Sequence, residues 1–352
     1  MGFIKMSNPP LVTINLVVLN GKKYIRHCLK AVQAQSYPNL EVNIFDNGST
    51  DETKEIVRRE FLSQPASGGP RFNLIESSKN LGTWPGQEKA MESSHGKYIV
   101  ALSVDVLMEP SAIEKAVDIL EKDGRIGALE AKILQYSIEE ERILKTNLID
   151  TLGFQIFRSR RVINLGHGEE DRNQYGGEKE IFAVEGAAPI LRKSALEELR
   201  VLGEIADREM FWYGDDLDLA WRMRLFGWKQ VYSPAVIMYH DRSTTKGTSR
   251  KWKDYFLRIG DRKKIPAFKK RLDWRNKRLA RIKNDYWQNM LRDFLPIVWR
   301  EIQEIGYITL FEPAVLLEIP KLIRLLPRTL KKRRVIMARA KAGPKEMARW
   351  FI

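Results

Sequence analysis

The sequence predicts an α/β protein with a mixed, mainly parallel sheet flanked by helices, followed by a basic helical C-terminal extension. Apolar, β-branched runs alternate with helix-like segments over the first hundred residues, a pattern typical of parallel strands joined by crossover helices. Residues 250–352 contain 28 Lys and Arg against 10 Asp and Glu, whereas residues 1–249 contain 32 against 35. We therefore predict an α/β domain over 1–249 and a basic amphipathic region over 250–352.

Four buried strands are predicted in the first hundred residues. The run from Leu11 to Leu19 is the first, and the turn dipeptide Asn20-Gly21 ends it. The later strands cover 41–45, 72–76 and 98–102, and the helices cover about 23–35, a segment from Asp51, and 86–94. Asp46 and Asp105 follow the second and fourth strands. Because the carboxyl ends of parallel strands meet at one edge of a sheet, both side chains are expected to face one crevice.

The middle of the first domain has a less regular pattern. Residues 130–185 are predicted to be loops over a site, with a basic hairpin at Arg158 to Val162. The elements predicted after them are a strand from Ile181 into Gly186-Ala187-Ala188, helices at 193–200 and from Asp215, and a strand from Val231 to Tyr239.

Two polar motifs at strand ends are candidates for ligand binding. The string from Asp46 to Asp51 fits a turn with a helix cap, or a carboxylate that accepts a hydrogen bond from a pyrimidine base. A carboxylate such as Asp105 is costly at the end of a buried strand unless it is solvated, paired or bound to a metal. A divalent cation there would neutralise a diphosphate leaving group, and a strand-end cap is the alternative.

An acidic cluster opens the helix that starts at Asp215. Asp218 and Arg222 are spaced to pair at i, i+4 and are interpreted as structural. Of Asp215 and Asp216, one is expected to cap the helix while the other projects into a cleft as a general base. Capping by both residues is the alternative.

His240 ends the last predicted strand of the first domain. Its imidazole suits a transition metal such as manganese, and Asp241 is predicted to orient the ring. The alternative is an ordinary core or surface histidine.

Several motifs occur together in a fixed order. They are Asn20-Gly21, Gln35-Ser36-Tyr37-Pro38, the Asp46 to Asp51 string, Asn80-Leu81-Gly82, Ser103-Val104-Asp105, Gly186-Ala187-Ala188, Asp215 to Arg222, and Tyr239-His240. Over residues 11–245 this arrangement resembles family 2 glycosyltransferases of the GT-A fold, and the last three motifs resemble the rhamnosyltransferase-like branch. The sequence departs from the family pattern at Asp215, where Glu is usual, and at Ser103, where Asn or an acidic residue is usual.

The resemblance implies an inverting enzyme that transfers a sugar from a nucleotide-diphosphate donor to a glycan or polyprenyl-linked acceptor in cell-envelope polysaccharide synthesis. Rhamnose from dTDP-rhamnose is the leading hypothesis, and UDP-hexoses come second. The implied roles are Asp216 as catalytic base, Asn20, Asp46, Asn80 and Asp105 at the donor, Asp105 and His240 as ligands of Mn²⁺ or Mg²⁺, and Asp215 and Trp212 on the acceptor side.

The basic region predicts attachment to an anionic membrane surface. It alternates basic clusters with the apolar segments Trp287 to Trp299 and Leu316 to Leu326, a pattern of helices that lie in the bilayer interface. An ordinary solvated helical bundle is the alternative. Lys321, Arg324 and Arg328 interrupt the best candidate for a membrane span, so no span is expected.

The single cysteine, Cys28, and the lack of an apolar signal-peptide core favour the cytosol, and hence the inner face of the cell membrane. Two rival functions remain. One is a nucleotide-binding scaffold of the same fold without transfer activity. The other is a basic nucleic-acid-binding protein, although no recognition motif for nucleic acid is present and no such partner is expected.

Overall fold

The computed structural model describes residues 8–63, 69–242, 262 and 265–352, and the predicted boundary near residue 250 lies outside these ranges. The strands are β1 (Val12–Val18), β2 (Leu40–Asp46), β3 (Arg71–Glu76), β4 (Tyr98–Ser103), β5 (Val106–Met108), β6 (Ile126–Glu139), β7 (Arg142–Thr151), β8 (Phe154–Ile156), β9 (Val162–Asn164), β10 (Lys179–Glu180), β11 (Ile190–Arg192) and β12 (Lys229–His240).

The helices are α1 (Ile25–Gln33), α2 (Thr53–Val57), α3 (Thr83–Met91), α4 (Ala112–Lys122), α5 (Lys193–Glu198), α6 (Asp215–Leu225), α7 (Ala267–Asn284), α8 (Trp287–Arg292), α9 (Phe294–Phe311), α10 (Ile319–Arg339) and α11 (Pro344–Ala348). A π-helical turn, Arg58–Leu62, continues α2, and a 3₁₀ helix, Pro313–Glu318, joins α9 to α10.

One mixed sheet organises the first domain. Its strand order is β10-β12-β6-β11-β4-β1-β2-β3, and β5 and β7 pair with β12 and β6. The pairs β1–β2, β2–β3, β1–β4 and β6–β12 are parallel, whereas β11 is antiparallel to both of its neighbours. The predicted mixed, mainly parallel sheet with flanking helices is therefore confirmed.

The central strand β4 is buried on both faces, as expected where helices cover a parallel sheet on both sides. Tyr98, Val100 and Leu102 belong to one apolar cluster with α1 and α4, while Ile99 and Ala101 belong to a second cluster with α3, α5 and α6. Two packed layers therefore fix the sheet and the carboxyl ends of its strands.

Strand register brings the predicted polar residues to one edge. Val18 at the end of β1 lies opposite Asp46, and Val17 lies opposite Ser103. The crevice expected at the carboxyl ends of β1, β2 and β4 is present.

The loop prediction for residues 130–185 was wrong in part. β6 and β7 form a long antiparallel ladder that runs from the Ile133–Thr151 pair to the Glu139–Arg142 pair. Loops begin only after β7. The basic hairpin is confirmed, because β8 and β9 pair across the turn at 157–161.

The strand predicted from Ile181 is absent, and residues 181–189 run without regular pairing. Side chains bind their backbone amides instead. The amide of Val184 donates to Gln230 Oε1 at 3.0 Å, and the amide of Glu185 donates to Glu130 Oε2 at 2.7 Å. These bonds satisfy buried N–H groups, and an isolated bridge joins Ala183 to Phe154 of β8. The segment is therefore held without a continuous strand ladder.

The described part of the basic region packs against the first domain. Lys283 of α7 is buried beside Asp207 and Asp218, with 3.0 Å from its Nζ to Asp218 Oδ1. Lys332 of α10 is buried between Glu204 and Asp207, at 2.8 and 2.6 Å. Part of the positive charge of this region is therefore neutralised by carboxylates of the first domain.

The final residues extend a core cluster of the first domain. Phe351 is buried against Phe182 and Trp221, with ring centroids 6.4 and 5.9 Å apart. The amide of Arg158 donates to the carbonyl of Ile352 at 2.8 Å. Among the described helices, none is long and apolar enough to cross a bilayer.

Candidate functional site

A cleft of about 630 Å³ opens at the carboxyl ends of the central strands. Six of the eight predicted site residues line it: Asn80, Asp105, Trp212, Asp215, Asp216 and His240. The tertiary structure thus brings together residues that lie as far apart as 160 positions in the sequence. Asn20 and Asp46 are not among the lining residues.

Asp46 is fully buried at the end of β2. Its Oδ1 accepts hydrogen bonds from the amides of Gly48 and Ser49 at 3.2 and 2.9 Å. Its Oδ2 is buried and has no hydrogen-bond partner among the described residues. Oδ1 therefore holds the turn, whereas Oδ2 is a buried hydrogen-bond acceptor without a donor among the described residues.

Asn20 links the turns that follow β1 and β2. Its backbone lies in the left-handed region, with φ of 51°, and its Oδ1 accepts from the amide of Thr50 at 2.8 Å. Its own amide donates to Ser49 Oγ at 2.9 Å. These contacts position the turn after Asp46.

Asn47 was missed as a site residue, although it stands in the motif that begins at Asp46. It lines the cleft, and its Nδ2 donates to Asn80 Oδ1 at 2.9 Å and to the Gly82 carbonyl at 3.0 Å. Its Oδ1 accepts from the Leu81 amide at 2.8 Å. The buried carboxamide of Asn47 therefore fixes the Asn80-Leu81-Gly82 turn at the N-terminus of α3.

Asp105 and His240 face each other in the cleft. The Oδ2 of Asp105 lies 3.4 Å from Nε2 of His240. Burial lowers the pKa of His240, but Asp105 and Asp150 oppose this effect and raise it to about 10. Burial alone would raise the pKa of Asp105, but its hydrogen bond to His240 brings it below the ordinary value. Each of the two groups thus favours the charged form of the other, and a metal ion bound at Nε2 would have to displace its proton.

Asp150, at the end of β7, is the residue that orients His240. Its Oδ2 lies 2.9 Å from Nδ1 of the ring, and the carboxylate is fully buried. The prediction that Asp241 orients the ring was wrong, because Asp241 Oδ2 instead accepts from the Tyr24 hydroxyl at 3.1 Å. Sequence reasoning had no signal for Asp150, since it was placed among supposed loops.

Arg242 and Glu185 extend this charged group along the cleft. Nε of Arg242 lies 3.0 Å from Asp150 Oδ1, and its Nη2 donates to Glu185 Oε1 at 2.7 Å. The other oxygen of Glu185 accepts from the amide of Ala187 at 2.9 Å. The segment around Gly186-Ala187-Ala188 is thereby tied to the strand that carries His240.

The side chains of Asp105 and His240 could together ligate a divalent cation that keeps some of its water. Two ligands at right angles, each about 2.1 Å from an octahedral ion, lie about 3 Å apart, close to the observed separation of Asp105 and His240. The contact of Nδ1 with Asp150 leaves Nε2 as the ligand atom, as in carboxylate–histidine–metal arrangements. Among the described residues no third His, Cys, Asp or Glu completes a cluster, so water and donor oxygens would fill the remaining positions.

Asp215 and Asp216 open α6 on another wall of the cleft. Asp215 is buried, and its Oδ2 has no hydrogen-bond partner among the described residues. Oδ1 of Asp216 accepts from the Leu217 amide at 2.7 Å. Burial, together with the negative charges of Asp215 and Glu185, raises the pKa of Asp216. A half-buried carboxylate of raised pKa is suited to accept a proton.

Gly186 leaves room for this carboxylate. A Cβ atom at position 186 would lie 2.9 Å from Asp216 Oδ2 and 3.0 Å from Asp216 Cβ. A side chain here would displace Asp216, which gives the Gly186-Ala187-Ala188 motif a steric reason.

The pairing predicted between Asp218 and Arg222 is confirmed, with 3.2 Å between Oδ2 and Nη2. Both residues are buried. Asp218 also accepts from Asn284 Nδ2 of α7 at 2.7 Å. The basic region therefore buries the polar face of the helix that carries Asp216.

The loop before α6 has an unusual backbone. Phe211, Tyr213 and Gly214 have φ angles of 62°, 64° and 74°. Nδ2 of the fully buried Asn276 on α7 lies 2.8, 2.8 and 2.7 Å from the carbonyl oxygens of Met210, Trp212 and Tyr213. A residue of the basic region thus holds the strained loop that leads into Asp215 and Asp216.

Trp212 projects from this loop to the cleft. Its ring lies 4.7 Å from that of Tyr213, and Lys269 Nζ lies 4.6 Å from its centroid. Lys269, Asp273 and Lys277 of α7 also line the cleft at successive turns of one helix face. The basic region therefore forms part of the cleft wall, which the division of the sequence by charge did not indicate.

Comparisons with known proteins agree with this architecture. The profile described as "Glycosyl transferase family 2" matches residues 13–199, so the match ends before Asp215 and Asp216. The chain is 36% identical over 114 residues to a chondroitin synthase of Escherichia coli, and 31% identical over 136 residues to an uncharacterized glycosyltransferase of Haemophilus influenzae. The first match covers 32% of this chain and 16% of the chondroitin synthase. The second covers 39% of this chain and 40% of the Haemophilus influenzae protein.

A similar solved structure is a mannosyltransferase of Pyrobaculum calidifontis in complex with GDP-Man and Mn²⁺. The TM-score is 0.53 at 18% identity, and the alignment covers 96% of this chain and 88% of that one. At this identity the likeness shows the fold alone, which is the GT-A fold. The family profile spans more than half of the chain, and the sheet, the cleft and the motifs around it agree with it: the chain belongs to glycosyl transferase family 2.

Proposed function

We propose that this protein is an inverting, divalent-cation-dependent glycosyltransferase that acts in cell-envelope polysaccharide synthesis. The observation that carries the proposal is that the Asp216 carboxylate, with its raised pKa, shares one cleft with the Asp105–His240 pair. A base for the acceptor and a charged site for a diphosphate are the two groups that direct displacement at an anomeric carbon requires.

Asp216 accepts the proton of an acceptor hydroxyl as that oxygen attacks the anomeric carbon. The nucleoside diphosphate departs from the opposite face of the sugar, so the configuration inverts. Gly186 keeps the space in which Asp216 stands, and Asp215 with Trp212 lies on the acceptor side. Asp105 and His240 Nε2 would hold a divalent cation, which would supply positive charge to the leaving diphosphate.

Asp46 and Asn80 serve the nucleotide in this proposal. The unpartnered Oδ2 of Asp46 supports it, because a buried acceptor is stabilised when a donor such as a pyrimidine N–H reaches it. Asn80 lines the cleft beside this turn, and Asn20 fixes the turn from behind. We propose dTDP-rhamnose as the leading donor, with UDP-hexoses second.

The acceptor in this proposal is a glycan or a polyprenyl-linked sugar at the cytosolic face of the membrane. The chondroitin synthase among the relatives supports a polysaccharide product, and the Mn²⁺ and GDP-Man of the similar structure support a metal and a nucleotide-sugar donor.

The test is thermal unfolding in the presence of a nucleotide-sugar panel that includes dTDP-rhamnose and UDP-hexoses, with and without Mn²⁺. We expect one donor to raise the unfolding temperature of the wild type in a metal-dependent manner, and to fail with Asp105→Ala. Asp216→Asn should keep donor protection and lose transfer to the acceptor. Asp118→Asn on α4, away from the cleft, is the matched control and should retain both.

Each contrary result has a distinct meaning. If no nucleotide sugar protects the wild type, the transferase proposal is wrong. If a donor protects but no acceptor receives its sugar, the protein is a nucleotide-binding scaffold of this fold.

A further inference from the structure

The outward side of α9 is a large apolar surface. Leu295 and Leu310 are 78% and 75% exposed, and contiguous exposed apolar side chains mark interaction surfaces. At about 100° per residue, one arc of roughly 160° on α9 contains six exposed apolar side chains. We call these the α9 face: Phe294, Leu295, Trp299, Ile302, Ile305 and Leu310.

The opposite side of α9 already has its partners. Ile297 and Ile308 are buried, and Glu301 Oε1 lies 2.8 Å from Arg281 Nη1 of α7. Arg278 of α7 contacts the same glutamate. The helix is therefore docked through its other side, and no described residue covers the α9 face.

A helix that packs with α9 carries unpaired positive charge. Lys321, Arg324, Lys331 and Arg334 of α10 are exposed and form no ion pair with any residue in the described ranges. Leu322, between the first two of these cations, packs against the apolar cluster that contains Ile308 of α9. Glu318, which precedes α10, is buried and lies 2.9 Å from Arg275 Nη1. The helical layer that presents the α9 face therefore also carries free cations.

We infer that the α9 face inserts into the interfacial layer of an anionic lipid bilayer, while the free cations of α10 contact lipid headgroups. An exposed apolar arc on a helix that cannot span a bilayer, with unpaired Lys and Arg on a neighbouring helix, is typical of surfaces that lie in the membrane plane. A second copy of the chain fits less well, because pairing like surfaces would bring the unpaired cations of both copies together.

This inference rests on the proposed function only for its purpose, which is to bring the cleft to a membrane-linked acceptor. Helix α7 connects the α9 face to the loop before Asp215. Its Arg281 pairs with Glu301 of α9, and its Asn276 donates to the carbonyl of Met210 in that loop. Attachment would therefore fix the orientation of the cleft relative to the lipid surface.

The test is co-sedimentation of the whole chain with vesicles of phosphatidylcholine alone, or with one third phosphatidylglycerol. We expect binding to the anionic vesicles that weakens with salt. Leu295→Glu combined with Ile302→Glu should lower the partition at least tenfold. Arg324→Gln combined with Lys331→Gln should lower it as well, by roughly fivefold for each charge.

Ile143→Glu combined with Leu144→Glu is the matched control, because both residues are exposed apolar side chains on β7. It should bind vesicles as the wild type does. Equal loss of binding in this control and the α9 variant, equal binding to neutral and anionic vesicles, or no binding to either would overturn the inference. A concentration-dependent dimer in sedimentation, abolished by the α9 variant and unaffected by vesicles, would assign this face to a second copy instead.

Donor protection against unfolding is measured on the same variants in buffer. Because the substituted side chains lie outside the cleft, we expect the α9 variant to keep wild-type protection. Absent vesicle binding by the wild type, with donor protection retained, refutes only the docking surface, whereas absent donor protection in the wild type refutes the proposed function.

Discussion

Replacement of Asn276 by alanine is expected to reduce catalysis, although Asn276 lies on α7 of the basic C-terminal region and not in the acidic motif itself. Its Nδ2 is within 2.7 to 2.8 Å of three backbone carbonyls in the loop before α6. The loop contains two aromatic residues at positive φ, Phe211 and Tyr213. Without the carboxamide, this strained backbone loses the contacts that hold it.

The magnitude follows from the two ways in which the variant can respond. If the loop keeps its shape, the buried carbonyl of Met210 loses its donor, while the part-buried carbonyls of Trp212 and Tyr213 can reach water. The protein then loses about 1 to 3 kcal/mol of unfolding free energy. If the loop relaxes, it recovers up to about 1 to 3 kcal/mol of strain per outlying residue, and Asp216 moves with it. A displacement of about 1 Å at a reacting group lowers the rate roughly 100-fold.

The assay is steady-state transfer with the donor identified in the nucleotide-sugar panel. We expect kcat of Asn276→Ala to fall about 30- to 100-fold, with the donor KM changed less than threefold, because the nucleotide side of the cleft is intact. Asn276→Asp, which has the same size but no N–H donor, should behave alike. Asn289→Ala removes another buried carboxamide, which donates to the Pro344 carbonyl at 2.9 Å far from this loop, and should lose stability but not kcat.

A kcat for Asn276→Ala within threefold of the wild type would refute this reasoning. An equal loss of kcat in Asn289→Ala would also refute it, because the effect would then reflect general destabilisation.

Three further predictions concern groups at or below the cleft. Gly186→Ala would place a Cβ atom 2.9 Å from Asp216 Oδ2, so kcat should fall more than tenfold while the unfolding temperature changes little; unchanged kcat would contradict the steric argument. As a base, Asp216 must be deprotonated, and its raised pKa should move the acidic limb of the kcat–pH profile from about 3.9 towards neutrality; a limb near pH 4 would contradict this role. Burial raises the pKa of the Glu130 carboxyl. Above about pH 4.3 the unfolded chain therefore releases a proton that the folded protein still holds. The free energy of unfolding then falls as the pH rises towards the pKa of the folded state. Glu130→Gln removes this proton release, and its unfolding temperature should fall less between pH 6 and pH 9 than that of the wild type; identical pH slopes would show that Glu130 is ionised in the fold.

The first four strands could be predicted because their signals are local. Each is a short apolar run closed by a turn motif, and parallel pairing then brings Asp46 and Asp105 to the same edge. The long β6–β7 ladder was not predicted, because its charged, exposed half resembles a loop when its partner strand is unknown.

The candidate site was predicted only where a motif marks it. Asp216 and His240 stand in recognisable strings, and both line the cleft as expected. Asp150, Glu185 and Arg242 carry the charges that orient them, yet each lies in a segment without a motif. Their importance arises from contacts between residues up to 92 positions apart.

By itself the sequence determined an α/β domain of this family, the edge of the sheet at which polar residues collect, and the basic character of the C-terminal region. Only the tertiary structure decided which charges of that basic region are already paired. The sequence shows its net charge, which is summed without regard to partners. In the fold, Lys283 and Lys332 neutralise buried carboxylates, and Asn276 holds the loop before Asp216. These contacts depend on helix packing, which brings distant segments together at hydrogen-bond distance and which no local pattern of residues encodes.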